Sequence, residues 1–293
     1  MTRIRSTHTL RAAVIAPLLL HAAASVAHAR QGAVQKDPPD TTALVTATPR
    51  APRDFTLAQL QNERVMQARL QTRFNIKRLF RERGITYPAA QIFVRVFKRE
   101  RILELWVRPA NAPEFALLKQ YMICALQGEL GPKRAQGDGQ TPEGFYEIDQ
   151  FNPNSLYHLS MHVNYPNRSD RLLGGAADLG GDIFIHGGCQ TEGCIAVTNE
   201  AIQELYWVGV EARGAGQERI PVHIFPARMT AEELALLGRR FADHPELVAF
   251  WTSLKPGYDY FERHRMLPPI RIDEAGRYVL LGQEAAAPEG RGL

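Results

Sequence analysis

One glycine-rich segment in the second half of the chain constrains this sequence most. Residues 186–198 read HGGCQTEGCIAVT, directly after the apolar strand pattern of residues 182–185. A strand that ends on His186 and a glycine-rich loop that returns to Cys194 can bring an imidazole and a thiol together. Because cysteine is a strong nucleophile only as the thiolate, and a nearby imidazole is its usual proton acceptor, the segment predicts an activated cysteine.

Structural roles are the alternatives for these residues. Cys194 taken alone is compatible with a buried structural cysteine, which is a common fate of this residue type. His186 taken alone is compatible with a hydrogen-bonded structural histidine. Asp182, four residues before His186, lies on the same strand face if the strand is continuous, so its carboxylate or a backbone carbonyl is expected to orient the imidazole ring.

The spacing of His186, Cys189 and Cys194 also allows a metal site. Zinc takes four protein ligands at structural sites and three plus water at catalytic ones, and the sequence contains no second cysteine-rich motif. We therefore expect no metal. A Cys189–Cys194 disulfide would close a very small loop and consume the thiol, whereas a Cys124–Cys189 disulfide would leave Cys194 free. The sequence leaves both pairings open.

The first 29 residues have the pattern of a secretory signal peptide. A basic start with three arginines precedes the apolar residues 12–24, and residues 27–29 (AHA) have the small-x-small form of a cleavage site. The apolar run is short for a membrane span, which needs ~20 residues. We expect a mature periplasmic protein that starts at Arg30 and has no membrane span. An uncleaved anchor is the alternative.

Charge and cysteine content narrow the possible classes of function. The chain has 35 basic and 31 acidic residues, a net charge of +4. Without the three arginines of the signal, 32 basic residues face 31 acidic ones, a net charge of +1. Since there is no lysine-rich tract, we expect no nucleic-acid partner. Three cysteines are too few for a disulfide framework, and an odd number leaves at least one thiol unpaired within the chain.

Changes in composition divide the chain into six predicted regions. They are a signal peptide (1–29), a flexible linker (30–53), a helical N-terminal segment (54–89), a β-rich catalytic domain (90–227), a helical C-terminal extension (228–284) and a disordered tail (285–293).

Hydrophobic periodicity predicts the elements within these regions. Strand patterns lie at residues 92–97, 102–107, 115–126, 144–148, 156–163, 182–185 and 220–225. The first two flank a polar turn and predict a hairpin. Helical patterns lie at residues 56–83, 199–207, 230–241 and 245–254, and a last strand-like stretch follows Pro269. Short strands with few long helices predict a mostly β, sandwich-like fold with added N- and C-terminal helices.

Several motifs, taken together and in order, resemble the L,D-transpeptidase catalytic domain of bacterial cell-wall enzymes. They are residues 131–133 (GPK), 137–139 (GDG), 141–146 (TPEGFY) and the block from His186 to Cys194, and the resemblance covers residues 90–227. The resemblance implies a mostly β fold and a thiolate that attacks the peptide stem of peptidoglycan at the carbonyl of its third residue. D-alanine then leaves, and an amine or water resolves the thioester.

The resemblance also assigns roles to residues. It makes Cys194 the nucleophile, His186 the general base, the Gly187 carbonyl the group that orients the imidazole, and the backbone near Gly193 part of the oxyanion site. It implies no metal or organic cofactor, and a role in cell-wall biogenesis and cell shape. The chain departs from the family where many members read SHGC, because residues 191–194 read TEGC and the second histidine is missing.

Three further features resemble a subgroup of periplasmic murein enzymes. They are Cys189, residues 152–155 (NPNS) and residues 255–259 (KPGYD). That subgroup includes an enzyme that hydrolyses the link between peptidoglycan and its attached lipoprotein. The expected partners are therefore peptidoglycan stem peptides and a wall-linked lipoprotein. The alternatives to transpeptidation are a carboxypeptidase or amidase with water as acceptor, and a non-catalytic wall-binding module. For an enzyme, we expect His186 to lower the thiol pKa of Cys194.

Overall fold

The computed structural model describes residues 52–282. The predicted signal peptide, nearly all of the predicted linker and the predicted tail lie outside the described residues. Within residues 52–282, no helix is both long enough and apolar enough to cross a membrane.

Two helices open the described chain where the periodicity predicts a single one. They are α1 (Pro52–Leu60) and α2 (Glu63–Glu82). The break falls at Asn62, whose side chain caps α2 by accepting a hydrogen bond from the backbone N–H of Arg64 at 3.0 Å. A buried stripe on one face of α2 packs against the rest of the protein and consists of Val65, Ala68, Thr72, Ile76 and Phe80.

Eight strands form a closed barrel. They are β1 (Gln91–Phe97), β2 (Ile102–Arg108), β3 (Ala116–Ala125), β4 (Gly144–Asn152), β5 (Ser160–Val163), β6 (Phe184–His186), β7 (Ile195–Val197) and β8 (Ile220–Phe225). Their order around the barrel is β1-β2-β3-β7-β6-β5-β4-β8. The predicted hairpin is confirmed, since β1 and β2 pair antiparallel with Phe97 opposite Ile102.

The mostly β prediction is confirmed, but its sandwich-like form is wrong. β1 pairs in parallel with β8 as well as antiparallel with β2, so the sheet closes on itself instead of dividing into two layers. Strand spacing along the sequence does not contain this information, because the closing contact joins residues 94–97 to residues 222–225. The main core combines residues of the strands with residues of α2 and of the helix Asn199–Gly214.

Three predicted boundaries shift near the barrel. The strand expected over 156–163 begins only at Ser160, and Leu156 is 97% exposed in the preceding loop. The strand expected over 182–185 is β6, which begins at Phe184, because Asp182 has a left-handed backbone (φ 57°) that ends extended pairing. The helix expected over 199–207 is α4 and runs from Asn199 to Gly214. A further helix, α3 (Arg168–Gly174), is not among the predicted elements.

The C-terminal extension covers one side of the barrel. It contains α5 (Ala231–Arg240), α6 (Pro245–His264) and a hairpin of β9 (Ile270–Ile272) with β10 (Tyr278–Leu280). A second apolar cluster joins these elements to Phe97 and Phe225 of the barrel. The extension is therefore part of the same folded unit. The prediction of a helical extension does not include the terminal hairpin, although the strand-like pattern after Pro269 indicates one of its two strands.

Candidate active site

Two neighbouring parallel strands position the imidazole and the thiol. β6 pairs with β7 so that Ile185 lies beside Ile195 and His186 beside Ala196. One residue back along this register, Cys194 lies beside Phe184, and the backbone N–H of Phe184 donates to Cys194 Sγ at 3.3 Å. Because side chains alternate along a strand, His186 and Cys194 project from the same side of the sheet, offset by two residues or roughly 8 Å between backbones.

The ring of His186 is held by its own backbone neighbour. Nδ1 lies 2.7 Å from the carbonyl oxygen of Gly187, which can only accept, so Nδ1 carries the proton and Nε2 has the free lone pair. The residue is 2% exposed. Burial lowers the pKa of His186, opposed in part by the hydrogen bond to Gly187. The imidazole is therefore neutral near pH 7, in the tautomer that a general base requires.

The thiol of Cys194 is the free cysteine of the described residues. It donates a hydrogen bond to the Asp182 carbonyl oxygen at 3.4 Å. Burial raises the pKa of the Cys194 thiol, and the charge of Asp182 adds to this, while the Phe184 N–H, the Thr191 hydroxyl and the charge of Lys133 act in the opposite direction. Burial dominates, so the resting thiol is protonated at neutral pH.

The resting pair is consequently a neutral thiol and a neutral imidazole. This differs from the prediction that His186 lowers the thiol pKa, because burial raises the pKa of Cys194 in the resting state. The physical reason is desolvation, which disfavours both the thiolate and the imidazolium. Sequence spacing indicates that His186 and Cys194 can meet, but it carries no measure of how dry their surroundings are.

The two other cysteines form a disulfide. Cys124 on β3 is bonded to Cys189 in the loop between β6 and β7, with their Cα atoms 5.3 Å apart. Of the pairings that the sequence leaves open, this is the one that spares Cys194. Because Cys189 is consumed, the set of His186, Cys189 and Cys194 is not available to a metal, and no cluster of three metal-ligating side chains occurs among residues 52–282.

The loop between β3 and β4 packs directly on the loop that carries Cys194. Gly193 has a φ of +114°, and a Cβ at this position would lie 2.9 Å from the backbone oxygen of Gln140. The glycine before Cys194 is thus required by both its backbone torsion and its close contact. A buried ion pair between Lys98 and Glu143 at 2.9 Å anchors the base of the Gln140 loop to the barrel.

That anchor extends to the C-terminal extension. Glu143 accepts hydrogen bonds from the Gly131 N–H at 2.8 Å and from Trp251 Nε1 of α6 at 2.7 Å. Lys98 Nζ also donates to the carbonyl oxygens of Gly131 and Thr141. Both charges are buried and hydrogen-bonded, so they fix the path of the loop.

A tyrosine from the loop between β4 and β5 covers the imidazole of His186. The rings of Tyr157 and His186 lie with their centroids 4.7 Å apart and their planes 33° apart. The N-terminal helices hold this loop: Arg64 Nη1 donates to the carbonyl oxygens of Ser155 at 2.6 Å and His158 at 2.9 Å. Neither residue is among those predicted from the sequence, because no local motif links position 64 to position 157.

The structure also settles how the imidazole is oriented. Gly187, and not the Asp182 carboxylate, is hydrogen-bonded to His186. Asp182 contributes its backbone oxygen to Cys194 instead. The sequence predicts that the Asp182 carboxylate shares a strand face with His186. This prediction requires a continuous strand, but β6 begins only at Phe184 and Asp182 has a left-handed backbone conformation.

Sequence comparison relates the chain to the L,D-transpeptidases. Residues 100–211 match the model of the L,D-transpeptidase catalytic domain (YkuD). The chain is also 37% identical over 203 residues to the Escherichia coli (strain K12) protein named "Putative L,D-transpeptidase YafK", covering 68% of this chain and 78% of that protein. A relative of the same name from Escherichia coli O157:H7 matches equally.

Comparison with solved structures gives weaker similarities. The helical cell shape determining protein Pgp2 of Campylobacter jejuni has a TM-score of 0.38 and 19% identity, with 63% of this chain and 73% of that chain covered. Bd1075 of Bdellovibrio bacteriovorus has a TM-score of 0.34 and 23% identity, with 59% and 61% covered. The sequence relationship is therefore the decisive one, and on it the chain belongs to the L,D-transpeptidase family.

Proposed function

We propose that this protein is an exported cysteine acyltransferase that acts on peptidoglycan stem peptides and remodels the cell wall. The observation that carries the proposal is the arrangement of β6 and β7. They present a neutral His186, with its Nε2 lone pair free, on the same side of the sheet as the one free thiol of the described residues. The family domain supports a peptidoglycan-acting enzyme, and this pair supplies its nucleophile and base.

Acylation begins with proton transfer within the neutral pair. The thiol rotates away from the Asp182 carbonyl, Nε2 of His186 takes the Sγ proton, and the thiolate attacks the carbonyl carbon of the third stem residue. The charge that develops on the carbonyl oxygen is stabilised by backbone N–H groups near Gly193 and Cys194, a contribution of roughly 3 to 4 kcal/mol per donor. The imidazolium returns its proton to the amine of D-alanine as the C–N bond breaks.

Deacylation repeats the proton transfers in reverse. An amine of a second stem, or water, attacks the thioester carbonyl while His186 accepts its proton, and the thiolate leaves and recovers the proton from the imidazolium. The neutral resting pair fits this cycle, because proton transfer is needed only when substrate is bound. The Gly187 carbonyl keeps the imidazole in one orientation and stabilises its charged form by a hydrogen bond from Nδ1.

Export to the periplasm is supported by two independent features. Residues 1–29 have the composition of a cleavable signal. The Cys124–Cys189 disulfide suits an oxidising compartment. N-terminal sequencing of the protein from its native compartment should begin at Arg30, whereas a chain that starts at Met1 in the cytosol would contradict this part of the proposal.

Mass analysis of muropeptide products tests the reaction. Purified tetrapeptide muropeptides incubated with the protein should lose D-alanine and gain a second stem, or lose D-alanine alone if water is the acceptor. Cys194→Ala should reduce both products to background while its circular dichroism spectrum stays unchanged. Full turnover by Cys194→Ala would contradict the mechanism. No product from any muropeptide, together with binding to whole sacculi, would favour the wall-binding module instead.

The same experiment separates transfer from hydrolysis. A D-amino acid added as a competing amine should appear in the products of a transferase and leave those of a hydrolase unchanged. Sacculi that carry covalently attached lipoprotein test the lipoprotein-releasing alternative, since release of the free lipoprotein by the wild type and not by Cys194→Ala would assign that substrate.

A further inference from the structure

An exposed row of apolar side chains runs along the outer face of α2. Met66, Leu70 and Phe74 are 42%, 44% and 70% exposed. They are spaced four residues apart, so they lie on one side of the helix, away from its buried stripe. Large apolar side chains are ordinarily scattered singly on a protein surface, and a contiguous row of three is more typical of an interaction surface.

Positive charge surrounds this row. α2 contains six basic residues and two acidic ones within its 20 residues, whereas the whole chain has a net charge of only +4. Arg73, Lys77 and Arg81 are spaced four residues apart beside the row and extend past its C-terminal end. Within residues 52–282 these three have no carboxylate within salt-bridge distance, although the neighbouring Arg78 is paired with Glu82.

The remaining cations of α2 have other tasks. Arg64 binds the Ser155 and His158 carbonyls, and the Arg69 guanidinium lies over the ring of Trp207 at 5.4 Å. Arg73, by contrast, stacks on Phe74 of the row itself, 4.6 Å from the ring centroid. Lys77 Nζ lies over the ring of Tyr87 at 5.5 Å, and Arg73 Nε is buried, but neither side chain has a carboxylate partner among residues 52–282. The apolar row and the cations beside it are together called the α2 face, defined by Met66, Leu70, Arg73, Phe74, Lys77 and Arg81.

We propose that the α2 face binds the surface of an anionic lipid bilayer, with the helix lying in the plane of the interface. Basic side chains that flank Leu and Phe are the pattern of interfacial helices, in which the apolar side chains enter the acyl boundary and the cations meet the phosphates. Long basic side chains reach toward phosphate while their alkyl stems stay in the apolar layer.

Two other occupants fit the α2 face less well. Peptidoglycan offers sugars, amides and carboxylates, which match the cations but leave Leu70 and Phe74 without an apolar partner. A second copy of the chain would need about 800 Å² per partner for a stable interface, and three side chains on one helix supply only a fraction of that area. An anionic bilayer offers acyl chains to the apolar row and phosphates to the cations, so it matches both parts of the α2 face. With six cations in its 20 residues, α2 suits a position in the plane of the interface and is too polar to cross the bilayer.

Vesicle co-sedimentation of the exported full-length protein tests the proposal. The protein should pellet with vesicles of phosphatidylglycerol and phosphatidylethanolamine, and at least tenfold less with vesicles of phosphatidylcholine alone. Binding should weaken as salt is added, because the cations are exposed. The double variant Leu70→Gln with Phe74→Gln, and the triple variant Arg73→Gln, Lys77→Gln and Arg81→Gln, should each reduce binding to the anionic vesicles at least tenfold.

Matched substitutions on α5 are the control. Leu236 is 45% exposed, and Arg239 and Arg240 follow it on the same helix. Leu236→Gln together with Arg239→Gln should leave vesicle binding within twofold of the wild type. Circular dichroism and turnover of soluble muropeptides should be unchanged in all these variants, since none of the residues is part of the catalytic machinery. Membrane binding is measured without turnover, so it is separable from the proposed reaction.

Three outcomes would overturn the inference. The first is wild-type protein that stays in the supernatant with anionic vesicles. The second is equal loss of binding in the α2 and α5 variants, which would indicate a general charge effect. The third is a dimer, measured by light scattering, or adsorption to purified sacculi, that disappears in the Leu70→Gln and Phe74→Gln variant while vesicle binding is unaffected.

Discussion

Tyr157 lies over the imidazole of His186, with ring centroids 4.7 Å apart. This contact joins the candidate base to a loop that is itself held by Arg64 of α2. α2 lies outside the segment that matches the family domain, residues 100–211. The N-terminal helices therefore contribute to the environment of the base, although they carry none of the reacting groups.

Removing the Arg64 side chain should weaken catalysis without unfolding the protein. Arg64→Ala deletes two hydrogen bonds from a charged donor and frees the Tyr157 loop, so we expect kcat/KM for muropeptides to fall by about tenfold, or ~1.4 kcal/mol. Arg78→Ala is the matched control, because Arg78 lies on the same helix and pairs only with the exposed Glu82. Equal activities in the two variants would show that the loop keeps its position without Arg64.

The pH dependence of turnover should reflect the buried imidazole. His186 accepts a proton only when neutral, and burial lowers its pKa below the ordinary value of about 6.5. Activity should therefore be present at neutral pH and be lost as the pH falls through that lowered pKa, which places the acid limb of kcat/KM below pH ~6.5. An acid limb above pH ~7 would contradict the neutral resting pair.

The pH dependence of Cys194 alkylation without substrate should be shifted to higher pH, whereas that of turnover is shifted to lower pH. Burial raises the thiol pKa, so the rate of iodoacetamide labelling should rise through a midpoint above the ~8.5 of a free thiol. Since Cys124 and Cys189 are disulfide-bonded, the modified residue is identified directly by peptide mapping. A midpoint well below ~8.5 that moves upward in His186→Ala would instead establish a thiolate–imidazolium pair.

Adding one methyl group at Gly193, directly before Cys194, should destabilise the protein. Gly193→Ala imposes a side chain at φ +114°, 2.9 Å from the Gln140 carbonyl oxygen, and we expect a loss of about 1–3 kcal/mol of unfolding free energy and most of the activity. Gly181→Ala is the control, because nothing lies within 4 Å of its Cβ position. Thermal unfolding and muropeptide turnover of the two variants measure the difference.

The disulfide should stabilise the fold without taking part in the chemistry. Its two cysteines are 65 residues apart, and loss of a cross-link over a loop of this length costs up to about 4 kcal/mol. Cys189→Ala should therefore lower the melting temperature and keep substantial activity at low temperature. The Cys124→Ala variant and the double variant should melt at the same temperature as Cys189→Ala. Additive losses would mean that the two cysteines stabilise the fold independently.

The sequence indicates the grouping of the candidate site residues better than it indicates their surroundings. His186, Gly187, Gly193 and Cys194 lie within nine residues, and their grouping follows from local strand and turn patterns. The neutral state of the pair could not be predicted, because it depends on burial by segments far along the chain. Arg64 and Tyr157 could not be predicted for the same reason, since their contact depends on how α2 packs and leaves no periodic trace.

The pairing of β1 with β8 determines which fragments of this protein can keep a closed barrel. β1 is hydrogen-bonded to both β2 and β8, yet both β1 and β8 lie outside residues 100–211. A recombinant fragment limited to the matched segment would lose two adjacent strands, β1 and β8. The edges of β2 and β4 would then be exposed to pairing with other chains. A fragment that keeps the barrel closed must therefore begin ahead of β1 and end after β8, beyond both limits of the matched segment.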